Sequence, residues 1–482
     1  MLKNQNEIIK FIKNEVINIP SVLNNELTYN NKRFNHRTDF NEIKSLVDEF
    51  IDDDSIDRYI VLPGLRDVGK STLLFQIYEY LMKKRDVNPQ NILYLSADNL
   101  VKIFNCSIMD AIDIFLNVYH TGNLRSIDEK IFLLIDEAQY DVNWSVTGKI
   151  IFDSSKNVFM IFTGSSALDL EYNVDSARRL LKIPITPLNY SQHLKLKYDY
   201  DSPDISNALI ELIFNGDIDQ ACKMENKIIK SYPSIEDYSS DEWNNYLKYG
   251  GFPSSFYHDK YRTLKKLEET IERVILVDMP NISQLSRESI LYSSRLLYFF
   301  AQQNPGQISR NSISNFLDCH INTVNNIIDT LERTYLIFHL ESFTSSPKRR
   351  NKPFKYYYAT PSLRHALSYN LGIASTDPKG YEGILFENLV ASTFNNLKIK
   401  NNRMFNIYYD SRKKDNVDFL IQRCFENPIP IEVGIGKKTK RQVKNAIEAY
   451  DSSHGIIISD TTQKIKKDGN IIYLPLETFS FL

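Results

Sequence analysis

Between residue 58 and about residue 190, short apolar runs alternate with longer segments in which apolar residues recur at helical spacing. The runs are rich in β-branched and aromatic residues, and they are YIVLP at 59–63, ILYL at 92–95, IFLLI at 131–135, VFMIFT at 158–163 and KIPIT at 182–186. Continuously apolar strands that alternate with helices are typical of a parallel sheet buried on both faces. The pattern therefore predicts an α/β fold for this part of the chain.

The pattern changes again on both sides of this segment. Helical spacing dominates before it and from about 190 to 300, and short strand-like runs return near 405–409, 416–422, 429–433 and 455–459. These changes predict five segments along the chain. They are a helical lead-in at 1–57, the α/β core at 58–200, a helical lid region at 201–300, a winged helix at 301–370 and a small separate α/β domain at 371–482.

The winged helix is predicted from the order of elements between residues 306 and 360. Two short helices at 308–318 and 323–336 flank a tight connection, and two β-like runs follow at 336–343 and 354–360. Helix, turn, helix and hairpin is the order of a winged helix. The basic loop at 348–352 would then form the tip of the wing.

The second of these helices begins with side chains that suit base edges or phosphates. They are Asn322, Thr323, Asn325 and Asn326. In a helix-turn-helix such N-terminal residues face the nucleic acid. The helix itself carries few cations, so DNA binding and a purely structural role in packing or oligomerisation both remain open.

Composition narrows the class of protein. The 482 residues include 58 basic and 60 acidic side chains, so no global positive field favours nucleic acid. The four cysteines are far apart in sequence, which excludes short metal-binding and disulfide spacings. No apolar run approaches a membrane span, and the charged N-terminus lacks the apolar core of a signal peptide. A cytoplasmic protein without a membrane partner is expected.

Residues 59–75 contain the strongest chemical signal, a glycine-rich loop between a strand and an amphipathic helix. Gly64, four further residues, Gly69, Lys70 and Ser71 form a phosphate-binding loop, or P-loop, in the context that this motif requires. Lys70 is expected to reach the β- and γ-phosphates of ATP, and Ser71 to bind Mg²⁺. The predicted ATP-binding residues are Gly64, Leu65, Arg66, Asp67, Val68, Gly69, Lys70, Ser71 and Thr72.

Polar residues at the ends of two later strands predict the rest of the site. Asp136 ends the strand at 131–135 and is expected to hold Mg²⁺, while Glu137 is placed to orient or deprotonate the attacking water. The strand at 158–163 would lie beside the first strand, so that Thr163 or Ser165 senses the γ-phosphate. The alternative for these two residues is a helix N-cap. Arg178 is a candidate phosphate contact, in cis or from a neighbouring subunit, and its alternative is a surface ion pair.

Further short stretches extend these motifs toward the C-terminus. The stretches are GLRDVGKSTLL (64–74), LLIDEAQ (133–139), FTGSSALDL (162–170), Arg178-Arg179, ITPLNYSQHL (185–194), YLKYGGFP (246–253), FENLV (386–390), VDFLI (417–421) and IEVGIGKK (431–438). In these stretches the chain resembles a group of archaeal and bacterial AAA+-type P-loop ATPases that carry a C-terminal PD-(D/E)xK nuclease-like domain. The resemblance implies five parallel strands in AAA+ order, a winged helix, and ATP hydrolysis with Mg²⁺.

The chain departs from the family pattern at two positions. Gln192 stands where an acidic residue is expected. In the C-terminal domain, Glu387, Asp418 and Glu432 fit by position as the carboxylates of a second metal site, but Gly434 occupies the place of the nuclease lysine. Lys437 has the wrong strand parity to replace it, and Lys438 lies a pleat or more beyond the metal. Both a metal nuclease and a nuclease-like binding or assembly module therefore remain open.

Three functions follow from these motifs. The first is a Mg²⁺-dependent ATPase that acts on DNA. The second is a nucleotide-switched regulator or assembly protein with slow hydrolysis, whose partner is a protein or a second copy of the chain. The third is an ATP-dependent metal nuclease, against which the glycine at 434 counts.

Overall fold

The computed structural model describes residues 2–120, 122–165, 178–283, 285–344, 349, 352–372, 377–401, 405–434 and 440–482. The chain forms two compact units, Met1–Thr186 and Pro187–Leu482. Within the described ranges, no helix combines the length and the apolar character needed to cross a membrane.

The first unit alternates strands and helices as the sequence pattern predicts. Its elements are α1 Leu2–Glu26, β1 Thr28–Tyr29, β2 Lys32–Arg33, α2 Thr38–Asp53, β3 Tyr59–Pro63, α3 Lys70–Lys84, β4 Ile92–Ser96, α4 Ala97–Phe104, α5 Ile108–Tyr119, β5 Ile131–Asp136, α6 Trp144–Ser154, β6 Val158–Gly164 and β7 Leu181–Lys182. Strands β1 and β2 form a small antiparallel hairpin apart from the main sheet.

The main sheet of the first unit has five parallel strands in the order β4-β5-β6-β3-β7. Every residue of β3, β5 and β6 is buried, which explains their continuously apolar sequences. The fold class predicted from the sequence is therefore confirmed. Strand β6 lies directly beside β3, with Thr163 opposite Leu62, so the ends of β3, β5 and β6 meet at one edge of the sheet.

The N-terminal helix is part of this unit. Ile8, Ile12 and Val16 of α1 belong to the same apolar core as Phe115 of α5 and Leu133 of β5. The spacing of these residues places them on one face of α1, which buries that face and leaves most of the charged residues of the helix exposed. The lead-in predicted at 1–57 thus packs against the α/β core and does not stand apart from it.

The second unit begins with helices and ends with a mixed α/β region. Its elements are α7 Tyr190–Tyr198, α8 Ser206–Asn215, α9 Asp219–Ser231, α10 Glu242–Tyr249, α11 Lys260–Arg273, α12 Met279–Ile282, α13 Arg287–Gln302, α14 Arg310–Leu317, α15 Ile321–Arg333, β8 Ile337–Ser342, β9 Lys355–Tyr358, α16 Pro361–Asn370, α17 Pro378–Asn401, β10 Phe405–Tyr409, β11 Phe419–Arg423, β12 Ile429–Gly434, α18 Lys440–Tyr450, β13 Gly455–Ser459, β14 Lys466–Asp468, β15 Ile471–Pro475 and α19 Leu476–Phe479.

Helix α7 packs within the second unit, although the sequence pattern assigned residues up to 200 to the α/β core. The backbone N–H of Tyr190 donates to the carbonyl of Ser480 at 3.0 Å, and the Tyr190 ring contacts Phe481. Gln192, the residue that departs from the family pattern, forms a capping box with Asn189 at the start of this helix. Glutamine and glutamate serve equally at this position of a capping box, so the departure is structurally neutral.

The helices and hairpin predicted as a winged helix are present as α14, α15, β8 and β9, but the hairpin also joins the C-terminal sheet. That sheet has eight strands in the order β14-β15-β13-β12-β11-β10-β8-β9. Glu341 at the end of β8 pairs in parallel with Tyr408 of β10. The pairing crosses the boundary predicted at residue 370, because the backbone groups along β8 find hydrogen-bond partners in a strand that lies far along the sequence.

Candidate nucleotide-binding site

The loop between β3 and α3 has the backbone shape that a phosphate cradle requires. A Cβ atom at Gly64 would lie 2.3 Å from the carbonyl oxygen of Ile185, so only glycine fits where the loop approaches the chain beyond β7. Asp67 and Gly69 have positive φ angles of 64° and 99°. The loop therefore turns sharply before α3 begins at Lys70, and the N–H groups of the first helical turn, which have no partner within the helix, follow directly on it.

Lys70 is buried and its ammonium group lies inside this loop. Its Nζ donates to the carbonyl oxygens of Gly64 and Leu65, each at 3.0 Å. Ser71 follows in the first turn of α3 and is partly buried. Lys70 and Ser71, the two side chains that the P-loop motif requires, therefore lie beside the backbone N–H groups with which they would bind phosphate.

Asp136 is held at the end of β5 by two hydroxyl groups. Thr163 Oγ1 donates to its Oδ1 from the neighbouring strand β6, and Tyr94 lies 3.4 Å from its Oδ2. The carboxylate is buried, and these contacts fix its orientation at the edge of the sheet where the P-loop begins. Thr163 is itself fully buried.

Glu137 follows in the left-handed backbone region, with φ 52°. Gln139 Nε2 donates to its Oε2. Burial raises the pKa of the Glu137 carboxyl, and the nearby Lys70 ammonium opposes that rise. The acid predicted to act on water is therefore electrostatically coupled to the lysine of the P-loop, although the two lie far apart in sequence.

Ser165 and Arg178 are the remaining residues that the sequence predicts for this site. Ser165 is buried directly after the end of β6. Arg178 is exposed. Its neighbour Arg179 forms an ion pair with Asp153, with Nε 2.7 Å from Oδ1, which is the surface contact weighed as an alternative for this pair. A phosphate-contacting role for Arg178 stays a prediction.

Arg37 is a residue of this site that the sequence reasoning missed. Its guanidinium group is buried and donates to the P-loop carbonyl of Val68 and, at 2.9 Å, to the carbonyl of Thr186. Its Nε also donates to the buried carboxylate of Asp39 at 2.7 Å. These hydrogen bonds connect the P-loop, at Val68, to the segment that precedes α2. The sequence feature that could have indicated this contact is an arginine followed two residues later by an aspartate at the start of a helix.

The residues at this edge of the sheet fit a Mg²⁺ ion that is bound together with nucleotide. Mg²⁺ prefers oxygen ligands and is usually held by one or two protein groups plus phosphate and water. The Ser71 hydroxyl and the oriented Asp136 carboxylate are groups of this kind. Across the ranges that the structure describes, no cluster of three or more acidic, histidine or cysteine side chains forms a metal site.

Comparison with known proteins agrees with this geometry. A family model described as an AAA domain matches residues 57–194, and models of two domains of unknown function, DUF8612 and DUF4143, match residues 240–377 and 382–479. The uncharacterized protein MJ1637 of Methanocaldococcus jannaschii is 32% identical over 472 residues, which cover 98% of this chain and 93% of that protein. The chain belongs to the AAA+ family of P-loop ATPases.

More distant similarities accompany this match. An uncharacterized protein of Haemophilus influenzae is 26% identical over 318 residues, covering 64% of this chain and 68% of that protein. The Walker-type ATPase PABY2304 of Pyrococcus abyssi has 15% identity and a TM-score of 0.38, covering 68% of this chain and 95% of that one. The Aeropyrum pernix ORC1 protein in complex with DNA has 10% identity and a TM-score of 0.34, covering 73% and 97%. Neither structure assigns a role to any residue here.

The second unit also brings the three C-terminal carboxylates toward one another, together with a lysine from the hairpin. Lys355 Nζ lies 3.1 Å from Glu387 Oε1, and the Tyr357 hydroxyl donates to the same oxygen at 2.7 Å. Asp418 Oδ2 accepts from the backbone N–H of Val433 at 2.8 Å. Lys437 and Lys438, considered from the sequence as substitutes at Gly434, lie outside the described residues.

The side chains that the sequence offers for contact with DNA lie at the start of α15. Asn322 and Asn326 are exposed, whereas Asn325 Oδ1 accepts from Arg310 at 2.8 Å. In the adjacent basic loop, Arg349 donates to the Tyr408 hydroxyl at 2.9 Å, and Lys352 is exposed. Lys348 and Arg350 lie outside the described residues.

Proposed function

We propose that this chain is a Mg²⁺-dependent ATPase that hydrolyses the β–γ phosphoanhydride bond of ATP. One observation carries the proposal: Lys70 lies inside the P-loop, while Asp136 ends strand β5 and Glu137 follows it at the same edge of the sheet. A phosphate cradle, a cation and two acids are the parts that phosphoryl transfer to water requires. This arrangement spans distant segments, so a chance glycine-rich turn does not account for it.

The P-loop binds the phosphates through backbone N–H groups and through Lys70. On binding, the Lys70 ammonium exchanges the carbonyls of Gly64 and Leu65 for oxygens of the β- and γ-phosphates. Ser71 and Asp136 would hold the Mg²⁺ ion, which supplies neutralisation of the charge that develops on the phosphate oxygens. Thr163 acts on this site through Asp136, whose carboxylate it orients.

Glu137 accepts the proton of the attacking water. Its raised pKa brings it closer to the operating pH, which favours a general base. The water oxygen forms the new bond to the γ-phosphorus, and ADP leaves as the β–γ bond breaks. Arg178, from the same chain or from a neighbouring subunit, is the candidate for contacting the transferred phosphate.

The test is steady-state ATP hydrolysis with Mg²⁺, combined with a nucleotide-binding measurement. Lys70→Ala should lose both binding and turnover. Glu137→Gln should bind ATP like the wild type and lose roughly 100-fold or more in turnover, as expected for removal of a general base. Lys83→Ala, on the exposed face of the same helix, is the matched control and should change neither quantity. Normal turnover in Glu137→Gln would remove that residue from the proposed mechanism.

The proposal extends to DNA as the polymer on which the ATPase acts. Its support is the pair of exposed amides Asn322 and Asn326 at the start of α15 and the exposed Lys352 in the adjacent loop. ATP turnover should rise when double-stranded DNA is added, and the double variant Asn322→Ala/Asn326→Ala should lose that rise. Asn304→Ala, an exposed amide elsewhere in the second unit, is the control. Turnover that ignores single- and double-stranded DNA would end the DNA part of the proposal.

A second candidate function, a nucleotide switch with slow hydrolysis, is favoured by the hydrogen bond from Gln139 to Glu137. A general base that is held by a hydrogen bond within its own loop deprotonates water slowly, so ATP is hydrolysed slowly. Bound ATP then sets the conformation of the protein instead of driving repeated conformational cycles. This candidate requires tight ATP binding, slow turnover and no effect of DNA. The partner would then be a protein or a second copy of the chain.

A further inference from the structure

Four residues that are widely separated in sequence meet in the C-terminal half of the chain. They are Lys355 of β9, Glu387 of α17, Asp418 before β11 and Glu432 of β12. The three carboxylates are the ones that the sequence offers as a nuclease metal site. Lys355 had been part of the predicted wing, so its presence among them is a finding of the structure.

The contacts around Glu387 are short and sheltered from solvent. Lys355 Nζ lies 3.1 Å from Glu387 Oε1, and the Tyr357 hydroxyl donates to that same oxygen at 2.7 Å. The side chains of Lys355 and Glu387 are 12% and 16% exposed. Long charged side chains are rarely covered to this extent unless they are paired. The pair is therefore a built feature of the fold.

The charges of the other two carboxylates act on the same ammonium group. Burial alone would lower the pKa of Lys355, but Glu387, Asp418 and Glu432 together outweigh it, so that the pKa of Lys355 is raised. Lys355 consequently carries its positive charge throughout the physiological range. It supplies the counter-charge that a cluster of carboxylates in a low-dielectric environment needs.

The carboxylates do not fit a divalent metal ion in this arrangement. Among the described residues, no group of three acidic side chains is arranged so that it could hold a metal. Glu387 Oε1 already accepts two hydrogen bonds, and Asp418 Oδ2 is directed at the backbone of Val433. Gly434 provides no side chain at the position where a nuclease would place its lysine.

We propose that Lys355 is the built-in counter-ion of this cluster, standing in place of a metal, and that it fastens the β8–β9 hairpin to α17. The C-terminal domain is then a binding or assembly module without phosphodiesterase activity. The hairpin is tied down at its second strand by Lys355 and at its first strand by the pairing of Glu341 with Tyr408. This inference is independent of the ATPase proposal, because all of its residues lie in the second unit.

The first test is a calorimetric titration of the nucleotide-free full-length protein with Mn²⁺, for the wild type and for Asp418→Asn. The two proteins should give the same heats, because the cluster has no metal site for the substitution to remove. Mn²⁺-dependent cleavage of single- or double-stranded DNA should be undetectable in both. A binding event or a cleavage activity that Asp418→Asn abolishes would overturn the proposal.

The second test is the melting temperature of Lys355 variants. Lys355→Met leaves the carboxylates without their cation and should lower the melting temperature by roughly 5–10 °C. Lys355→Arg, which keeps the charge, should have a melting temperature closer to that of the wild type. Lys379→Met, at an exposed lysine of α17, is the control and should leave the melting temperature unchanged.

The second test can contradict the proposal directly. A melting temperature of Lys355→Met equal to that of the wild type would mean that the lysine is not the counter-ion. If Lys355→Met fails to fold, the Mn²⁺ titration of the wild type and of Asp418→Asn still decides whether a metal occupies the cluster.

Discussion

The hydroxyl of Thr163 donates a hydrogen bond to the carboxylate of Asp136 across two neighbouring strands. Both side chains are buried, and strand β6, which carries Thr163, also lies beside β3, which leads into the P-loop. The contact therefore links the three strands whose ends form the candidate site. Because a hydrogen bond to a carboxylate is directional, Thr163 determines where the Asp136 oxygens point.

Replacing Thr163 by valine should reduce ATP turnover by roughly 10- to 100-fold. Valine has nearly the same shape as threonine but cannot donate, and a hydrogen bond to a charged group contributes about 1.5–3 kcal/mol. ATP binding without Mg²⁺ should be almost unchanged, since Thr163 acts through Asp136. Thr163→Ser, which keeps the hydroxyl, should recover most of the activity. Equal turnover in the valine variant and the wild type would show that the contact has no role in catalysis.

Arg37 should be needed for both the stability of the first unit and its affinity for ATP. Arg37→Ala removes the donors to Val68 and Thr186 and leaves the buried Asp39 carboxylate without its guanidinium partner. Breaking a buried pair in this way costs about 3 kcal/mol or more. The melting temperature should fall, and the Kd for ATP should rise about tenfold or more as the P-loop loses its support.

Arg37→Lys distinguishes the effect of the positive charge from the effect of the guanidinium geometry. Lysine keeps the positive charge but cannot present several donors in a fixed fork, so it should recover part of the stability and little of the ATP affinity. Arg33→Ala is the control, because Arg33 is 46% exposed and pairs with Glu79 at the surface. If Arg37→Lys binds ATP as tightly as the wild type, the several donors of the Arg37 guanidinium group do not position the P-loop.

The α/β fold and the P-loop could be predicted from the sequence because their signals are local. The residues at 64–72 carry the cradle, the cation and the hydroxyl in one contiguous stretch. Each buried strand is a continuous apolar run, since both of its faces are covered. Asp136 could be placed because it ends such a run. That these residues catalyse hydrolysis stays a prediction.

The rest depends on contacts between distant positions, which no local pattern records. Arg37 reaches a carbonyl that lies 149 positions further along the chain. Lys355 lies in the β-like run at 354–360, and only the folding of β9 against α17 brings it to Glu387. The hairpin likewise looked like a free wing, because strand pairing with β10 is invisible in the sequence of β8.

If this protein is a nucleotide switch with slow hydrolysis, removing the side chain of Gln139 should increase the rate of ATP hydrolysis. Gln139→Ala releases Glu137 Oε2 from its hydrogen bond, which frees the base to reach water. A gain of up to about tenfold in turnover is expected, with unchanged affinity for ATP, because one such bond is worth about 1.5 kcal/mol. Gln90→Ala, an exposed glutamine of the same unit, is the control. A fall in turnover would mean that Gln139 supports Glu137 and does not restrain it.

Glu242 is the centre of a buried polar cluster in the second unit. His193 Nε2 and Lys197 Nζ each lie 2.7 Å from its Oε1, and the Tyr198 hydroxyl donates to its Oε2 at 2.6 Å. Burial alone would raise the pKa of the Glu242 carboxyl, but the hydrogen bonds outweigh it and lower the pKa from 4.5 to about 2. The ionised form is therefore favoured in the folded protein relative to the unfolded chain.

This shift predicts a loss of stability in acid that depends on Glu242. Because the pKa is lower in the folded state, the stabilisation is present above pH 4.5 and is lost as the pH falls toward 2. The contribution is about 2 kcal/mol, after allowance for the partial exposure of Lys197. Glu242→Gln should lower the melting temperature of the second unit at pH 6, and the difference from the wild type should shrink as the pH is lowered to about 3.

The buried His193 destabilises the fold in the same pH range, because burial lowers its pKa and the unfolded chain takes up the proton more readily. The decisive quantity is therefore the difference between wild type and Glu242→Gln at each pH, and not the acid sensitivity of the wild type alone. Glu236→Gln, an exposed glutamate of the same unit, should show no such difference. A difference between wild type and Glu242→Gln that stays constant from pH 6 to pH 3 would mean that the Glu242 carboxylate gains nothing from its ionised form in the fold.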